Sequence, residues 1–341
     1  MSRSQRVLII GPSNVGDAIL ASPVIAAATR RFPQAHVTLV VGARAAALFT
    51  DDPRVQALVD TSRFDSPLGR LQLALALWRY HPHVVIDLRH TLYPLLLTPW
   101  SAWRVLRRPP RALAHMRARH LWSAQAQVPA LRATARATPA ASGTDPLCCT
   151  AKDAAHVEGL WKRWGLTAAA PLVLIAPGAR SHIKRWTAEG FARVADQLIG
   201  DRGAQVIFSG ESDEEPIIEE IRSLMRHSSR SAAGLVTIRQ LGRLMAKAQL
   251  VITNDSASLH VASALNVPTV AIFGPTDERK YGPTAEHARV IRRRLFCAPC
   301  EASLCRFQHE CMRFVNPDEV YEAAATLLTR DHETRDMRPE T

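Results

Sequence analysis

Seven short aliphatic runs recur along the chain, and each gives way to a loop or a stretch of helical period. In the first half they are "RVLII", "HVTLVV" and "HVVIDL"; in the second they are "PLVLIAPG", "AQVIFSG", "LVITND" and "TVAIFG". Runs this short that lack polar alternation read as strands buried on both faces, and such strands belong to parallel sheets. Between the first two, "GDAILASPVIAAATRRF" carries its apolar residues at helical spacing, so the unit is βαβ. The pattern then starts again. At 341 residues the chain exceeds one ordinary core, which predicts an α/β protein of two Rossmann-like, doubly wound domains.

The expected division is 1–165 and 166–341, with the last helix free to pack back on the N-terminal domain. A loop of Ala, Ser, Gly, Thr and Pro runs from Pro139 to Thr150, and the helix "DAAHVEGLWKRWGL" leads out of the first half. In the second half, Phe191, Val194, Ala195 and Leu198 form one face of a helix that Gly200 is expected to end. Ligands of such sheets collect outside the carboxyl ends of the strands, so residues just after each strand are the ones that can carry chemistry.

After the first strand stands "GPSNVGD", which looks like a phosphate loop and fails as one. The dinucleotide fingerprint needs glycine where Ser13 stands, and the Walker loop needs lysine where Asp17 stands. After "VLIAPG" come Ser181, Lys184 and Arg185: a hydroxyl, an ammonium and a guanidinium suited to a diphosphate, or a basic pair on an ordinary exposed loop. After "VITN" come Asp255, Ser256 and Ala257 at a helix start, with His260 one turn on. The small residues leave amides open to an anion, while Asp255 also suits a helix cap and His260 a half-buried position. After "VIFSG", Glu211 and Asp213 are candidates for ribose hydroxyls or for complementing a helix N-terminus.

Charge divides unevenly. Residues 1–170 hold 21 Lys and Arg against 9 Asp and Glu, whereas residues 171–341 hold 22 of each, so the whole net charge of +12 lies in the first half. No acid occurs between Asp87 and Asp145, a span with nine arginines from Arg89 through Arg117 and Arg119 to Arg136. Such a field attracts a polyanion. Leu92, Leu95 to Leu97, Trp100, Trp103 and Trp122 are mixed into it, which fits a membrane interface or an amphipathic ligand better than a duplex, and no nucleic-acid module is recognisable. No secretory signal is visible, and the longest apolar stretch, "TLYPLLLTPWSAW", is broken by two prolines, so a cytoplasmic protein is expected. Six cysteines are too sparse for a disulfide framework there. Four of them, Cys297, Cys300, Cys305 and Cys311, lack the paired C-x-x-C knuckles of a zinc site, and neither an essential metal nor a cofactor is expected.

"GPSNVGDAILASPVIAAATRRFP", "APGARSHIKRW", "VITNDSASLHVASALNVPTVAIFGPT" and "CAPCEASLCRFQHECM" followed by "NPDEV" resemble, in this order, the ADP-heptose:lipopolysaccharide heptosyltransferases of glycosyltransferase family nine. The resemblance spans roughly residues 6 to 328, is weakest from about 100 to 150, and is nearer to heptosyltransferase II than to heptosyltransferase I. It implies a GT-B fold of two facing Rossmann-like domains, the first for acceptor and the second for ADP-sugar, with inversion at the anomeric carbon. By it, Gly16 and Asp17 match the family's Gly-Asp pair, whose acid is the proposed general base. Lys184 matches the phosphate-binding lysine. Asp255 matches the strand-end acid, and Ser256, Ala257 and His260 match the helix start after it, with Ser-Ala in place of the usual Thr-Gly. The acid that holds ribose is not uniquely aligned between Glu211 and Asp213. The implied partners are an ADP-heptose donor and a phosphorylated lipid A-core acceptor met by Arg89, Arg117 and Arg119, with peripheral contact to the anionic inner membrane, no nucleic acid, and a monomer as the expected state. A GT-B nucleotide-sugar epimerase and a non-catalytic polyanion-binding protein are the alternatives. Position creates one tension: a carboxylate in a helix's first turn is held as the anion, which weakens it as a base.

Overall fold

The computed structural model describes residues 5–64, 66–135 and 147–336; Arg136 and most of the loop expected from Pro139 to Thr150 lie outside the described residues. The chain divides into two units at Cys148 and Cys149.

In the first unit, β1 (Arg6–Ile10), β2 (His36–Val41), β3 (Ala57–Asp60) and β4 (Val84–Asp87) form a parallel sheet in the order β3-β2-β1-β4. Ile9 lies opposite Leu39 on one side and Ile86 on the other. Alternate side chains of each strand are buried on opposite faces of the sheet. Leu8, Ile10, Val40 and Val85 pack against α3 (Pro67–Trp78), through Leu73 and Leu77, and against Leu97 of α4 (Tyr93–Leu97). Ile9, Leu39 and Val41 face α1 (Val15–Arg31) and α2 (Ala43–Phe49) through Ala18, Ala21, Ile25 and Phe49. Helix α5 (Met116–Gln127) packs along α1 and β4, and a short α6 (Arg132–Ala135) follows it. Gln127 fixes α5 to the sheet by accepting from Asp87 N and donating to Asp87 O, each at 2.7 Å.

In the second unit the parallel order is β10-β9-β8-β5-β6-β7, made of β5 (Leu172–Ala176), β6 (Gln205–Phe208), β7 (Arg230–Ser231), β8 (Leu250–Asn254), β9 (Thr269–Phe273) and β10 (Ala288–Arg292). Counted from β5, this is the doubly wound order 3-2-1-4-5-6, which reverses direction between β5 and β8. Every residue of β5, β8 and β9 is buried. The helices are α7 (Ala151–Trp164), α8 (Ala188–Arg202), α9 (Glu215–Leu224), α10 (Ile238–Met245), α11 (Ala257–Ala264), the single turns α12 (Glu278–Tyr281) and α13 (Glu310–Arg313), and α14 (Pro317–Asp336).

Two boundaries differ from those read in the sequence. Helix α7, expected in the first domain, belongs to the second unit: Asp153 meets Arg239, Glu158 meets Lys247, and the His156 ring bonds to Leu235 O, all around α10. Helix α8 runs through Gly200 and ends at Gly203, whose φ of +61° is the left-handed stop, so Gly200 is an interior residue. Helix α14 packs on α8 and on β8, β9 and β10 of its own unit.

The reversal point of the second sheet is tied by Asn254, fully buried at the end of β8. Its Nδ2 donates to Pro177 O at 2.6 Å, just beyond β5, and its Oδ1 accepts from Trp186 N at 3.2 Å. Asn254→Leu leaves a buried carbonyl and a buried amide without partners, for a loss of about 2–4 kcal/mol in denaturant unfolding.

Candidate active site

In each unit the loops after the two strands that flank the reversal point carry residues proposed for chemistry. In the second unit these strands are β5 and β8. The loop after β5 carries Ser181, Lys184 and Arg185; the loop after β8 carries Asp255, Ser256 and Ala257. Lys184 Nζ donates to Asp255 Oδ2 at 2.7 Å. Asp255 is nearly closed to solvent and Lys184 is one-third open, so the ammonium can still turn toward an incoming anion. Asp255 therefore pairs with Lys184; the N-cap position of α11 belongs to Ser256, whose hydroxyl makes no cap bond and lies 3.2 Å from Thr253 Oγ1. Ser256 and Ala257 are half-buried, and the first amides of α11 have no partners within the helix. His260 is buried one turn on. Arg185 is held by its Nε donating to Ala179 O at 2.9 Å, and Ser181 opens the single turn His182–Lys184.

After β6 the structure distinguishes three acids. Glu211 caps the turn Ser212–Glu214, and Glu211 and Asp213 are both exposed. Glu214 turns inward, accepts from Glu211 N at 2.9 Å, and occupies the space beside Gly178 and Gly210, where β5 and β6 end. Burial pushes its carboxyl above the ordinary range, helped by the nearby Glu211 and Asp213 and opposed by Arg185. Sequence reasoning passed over Glu214; the clue was Gly178, since any side chain there would overlap the Glu214 carboxyl.

In the first unit the flanking strands are β1 and β4. Gly11 leaves β1 against Val41, and a Cβ on Gly42 would meet Ser13, so the "GPSN" loop is laid down against the end of β2. Asn14 then caps α1, with Gly16 and Asp17 half-buried in its first turn, and Asn14 Nδ2 lies 3.4 Å from Asp17 Oδ2. At the end of β4, Asp87 is fully buried; its carboxylate accepts from Arg89 N, from Thr91 N and from the Thr91 hydroxyl. This turn leaves the Arg89 side chain exposed.

Arg117 and Arg119 lie half-buried in the first turn of α5, and among the described residues no carboxylate pairs with either. Burial holds the Arg117 guanidinium below its ordinary pKa, a cost that a phosphate partner would offset. One turn after Arg117, His120 is 7% exposed and its Nε2 is buried with no hydrogen-bond partner among the described residues. Burial pushes the His120 pKa down, the Asp17 carboxylate opposes this, and Arg119 and His90 reinforce it. The structure thus gathers Asp17, Arg119, His120 and His90 into one electrostatic neighbourhood. His120 had no motif to mark it, because only the packing of α5 on α1 brings it there.

The cysteines Cys297, Cys300, Cys305 and Cys311 lie near one another, and burial with this proximity pushes the Cys311 thiol up to about 11. Among the described residues no group of three or more His, Cys, Asp or Glu is arranged to hold a metal ion. Cys311 and Met312 instead pack onto Gly274 at the end of β9.

Two doubly wound units, each with a polar site at its reversal point, are the architecture of GT-B glycosyltransferases. Residues 124–310, more than half of the chain, match the model for glycosyltransferase family 9 (heptosyltransferase), and the chain belongs to that family. It is 32% identical over 192 residues to lipooligosaccharide heptosyltransferase 2 of Campylobacter jejuni, a match covering 52% of this chain and 60% of that relative. It is 25% identical over 350 residues to lipopolysaccharide heptosyltransferase 2 of Salmonella typhimurium, covering 96% of this chain and 99% of the relative. The solved structure of Escherichia coli ADP-heptose lps heptosyltransferase II superposes with a TM-score of 0.73 at 25% identity, over 96% of this chain and all of that one.

The geometry sets two outcomes. Gly178→Ala displaces the Glu214 carboxyl toward solvent, so its raised pKa moves back toward the ordinary carboxylate range in an NMR titration while the melting temperature shifts little. Because His120 is disfavoured as the cation in the folded protein, the unfolded chain binds the extra proton, and stability is lost as pH falls through the ordinary histidine range near 6.5. His120→Gln flattens that loss in melting curves taken between about pH 7 and 5.5.

Proposed function

We propose that this protein transfers heptose from ADP-heptose to the inner core of lipopolysaccharide, with inversion at the anomeric carbon. The observation that carries the proposal is the Lys184–Asp255 pair at the reversal point of the second sheet, beside the open start of α11. The named relatives and the matched structure support the same reaction. The second unit binds the donor. Lys184 and the first amides of α11 receive the diphosphate and offset the charge that grows on ADP as the carbon–oxygen bond breaks. Asp255 keeps the ammonium in place before the donor arrives, so little reorganisation is left for the reaction itself. Ser181 and Arg185 border the diphosphate, and His260 supports the α11 start from behind. Of the acids after β6, Glu214 accepts from the ribose hydroxyls, while Glu211 and Asp213 stand at the rim.

The first unit binds the acceptor. Arg117 and Arg119, without acidic partners among the described residues, and exposed Arg89 take its phosphates, and Asp17 takes the proton of the attacking hydroxyl. The first turn of α1 and the Asn14 amide both favour the Asp17 anion, so the carboxylate first orients the hydroxyl and accepts its proton late, as the bond to the sugar forms. No metal or cofactor is assigned a step. The protein works as a monomer on the cytoplasmic face of the inner membrane, where the anionic acceptor lies within reach of the basic unit.

Incubation with ADP-heptose and defined truncated core acceptors, followed by mass measurement of the products, tests the reaction; an altered sugar nucleotide formed from donor alone identifies an epimerase instead. Asp17→Asn abolishes transfer and leaves ADP affinity unchanged in calorimetry. Lys184→Ala lowers ADP affinity at least tenfold, about 1.4 kcal/mol.

A further inference from the structure

Helix α3 is apolar on two sides. Gly69, Leu73 and Leu77 are buried against the sheet, while Leu68, Leu71, Leu75 and Trp78, spaced three and four residues apart, form a second stripe of which each side chain is more than half exposed. A surface helix normally carries polar residues on that side. The next elements repeat the arrangement. Helix α4 buries Pro94 and Leu97 and exposes Leu95 and Leu96; the turn Ala102–Leu106 buries Ala102 and Val105 and exposes Trp103 and Leu106, with Trp100 exposed between them. The three elements are in mutual contact in sequence order, and Tyr93 OH donates to Arg70 O at 3.4 Å across the first junction. Within these three contacting elements and the junction at Trp100, nine leucine and tryptophan side chains are about half exposed or more, beyond the ordinary scatter of single surface hydrophobes.

Its charge identifies the occupant. Among the described residues from 66 to 133 the one acid is Asp87, which is fully buried with its carboxylate engaged by backbone amides and Thr91. Arg70, Arg79, Arg107, Arg108 and Arg111 are exposed in and beside these elements, and the guanidinium groups of Arg104 and Arg107 lie 5.5 and 5.1 Å from the Trp103 ring. A second copy of this chain would set arginine against arginine. A duplex would leave the leucines in water. A bilayer with anionic headgroups satisfies both parts, the aliphatic and indole side chains entering the interface and the arginines remaining at the phosphates.

We propose that α3, α4 and the turn Ala102–Leu106 form a docking face that inserts into the surface of an anionic lipid bilayer, without any need for the sugar acceptor. Because the probe contains no sugar, the outcome is independent of the transfer reaction, and failure of either leaves the other standing.

The full chain is sedimented with vesicles of phosphatidylcholine alone and with roughly one-third phosphatidylglycerol. The expected result is binding to the anionic vesicles, weakened about tenfold or more by Leu71→Glu with Leu75→Glu and severalfold by Arg107→Gln with Arg108→Gln. ADP affinity and the circular dichroism spectrum stay unchanged. Brominated lipids quench the tryptophan fluorescence of the unsubstituted chain, and Trp100→Phe with Trp103→Phe removes most of that quenching; this measurement stands even if the glutamate variants fail to fold. Absence of vesicle binding by the unsubstituted chain overturns the proposal. So does equal binding by the folded glutamate variants, or a dimer in light scattering that the same substitutions dissolve.

Discussion

A parallel strand must be covered on both faces, because every connection returns across the sheet by a helix and the strands themselves have no polar edge to offer water. That requirement makes β5 wholly aliphatic and confines the polar residues of β8 and β9 to their ends, at Thr253, Asn254 and Thr269, so the strand ends are where polar groups gather. Where the winding reverses, the loops after two adjacent strands part and leave a crevice. Asn254 keeps that crevice from collapsing or drifting in the second unit, since it bonds the end of β8 to the loop after β5 and to Trp186. The Lys184–Asp255 pair stands on this frame, and Glu214 beside Gly178 borders it.

The two units use the same frame for opposite charges. In the second, a buried carboxylate holds an ammonium that remains partly open, and acids and bases balance over the half-chain. In the first, the corresponding helix start carries Asp17 amid arginines that have no acidic partners among the described residues. A phosphate would be repelled by Asp17 at close range but attracted by Arg117 and Arg119 on the adjacent helix α5. The same unit carries the exposed leucine and tryptophan side chains of α3, α4 and the turn Ala102–Leu106, so a single small domain bears both Asp17 with its neighbouring arginines and an apolar exterior.

The alternation of apolar runs with helical stretches, the identity of the strand-end loops and the one-sided charge were legible because each is local: a period, a spacing or a count. The two sheets, Asp17 at the start of α1, Lys184 after β5 and Asp255 after β8 derive from them directly. Helix boundaries were less legible. Gly200 has the right composition for a stop, yet α8 continues through the exposed Asp201 and Arg202, and Gly203 with its left-handed φ ends it. Helix α7 has an amphipathic pattern that fits either unit, and its ion pairs with Arg239 and Lys247, together with the His156 bond to Leu235 O, assign it to the second.

The sequence by itself determined the class of fold, the loops in which chemistry is carried and the domain that bears the positive charge, since these depend on neighbours along the chain. Tertiary structure alone decided which side chains meet. Lys184 and Asp255 are paired across 71 residues, Glu214 rather than its neighbours enters the end of the sheet because Gly178 leaves room, and His120 feels Asp17 because α5 lies along α1. It also decided that the second apolar stripe of α3 faces solvent: a helix that is apolar on two sides reads in sequence as a buried one, and only the position of the sheet shows which side has nothing to cover it.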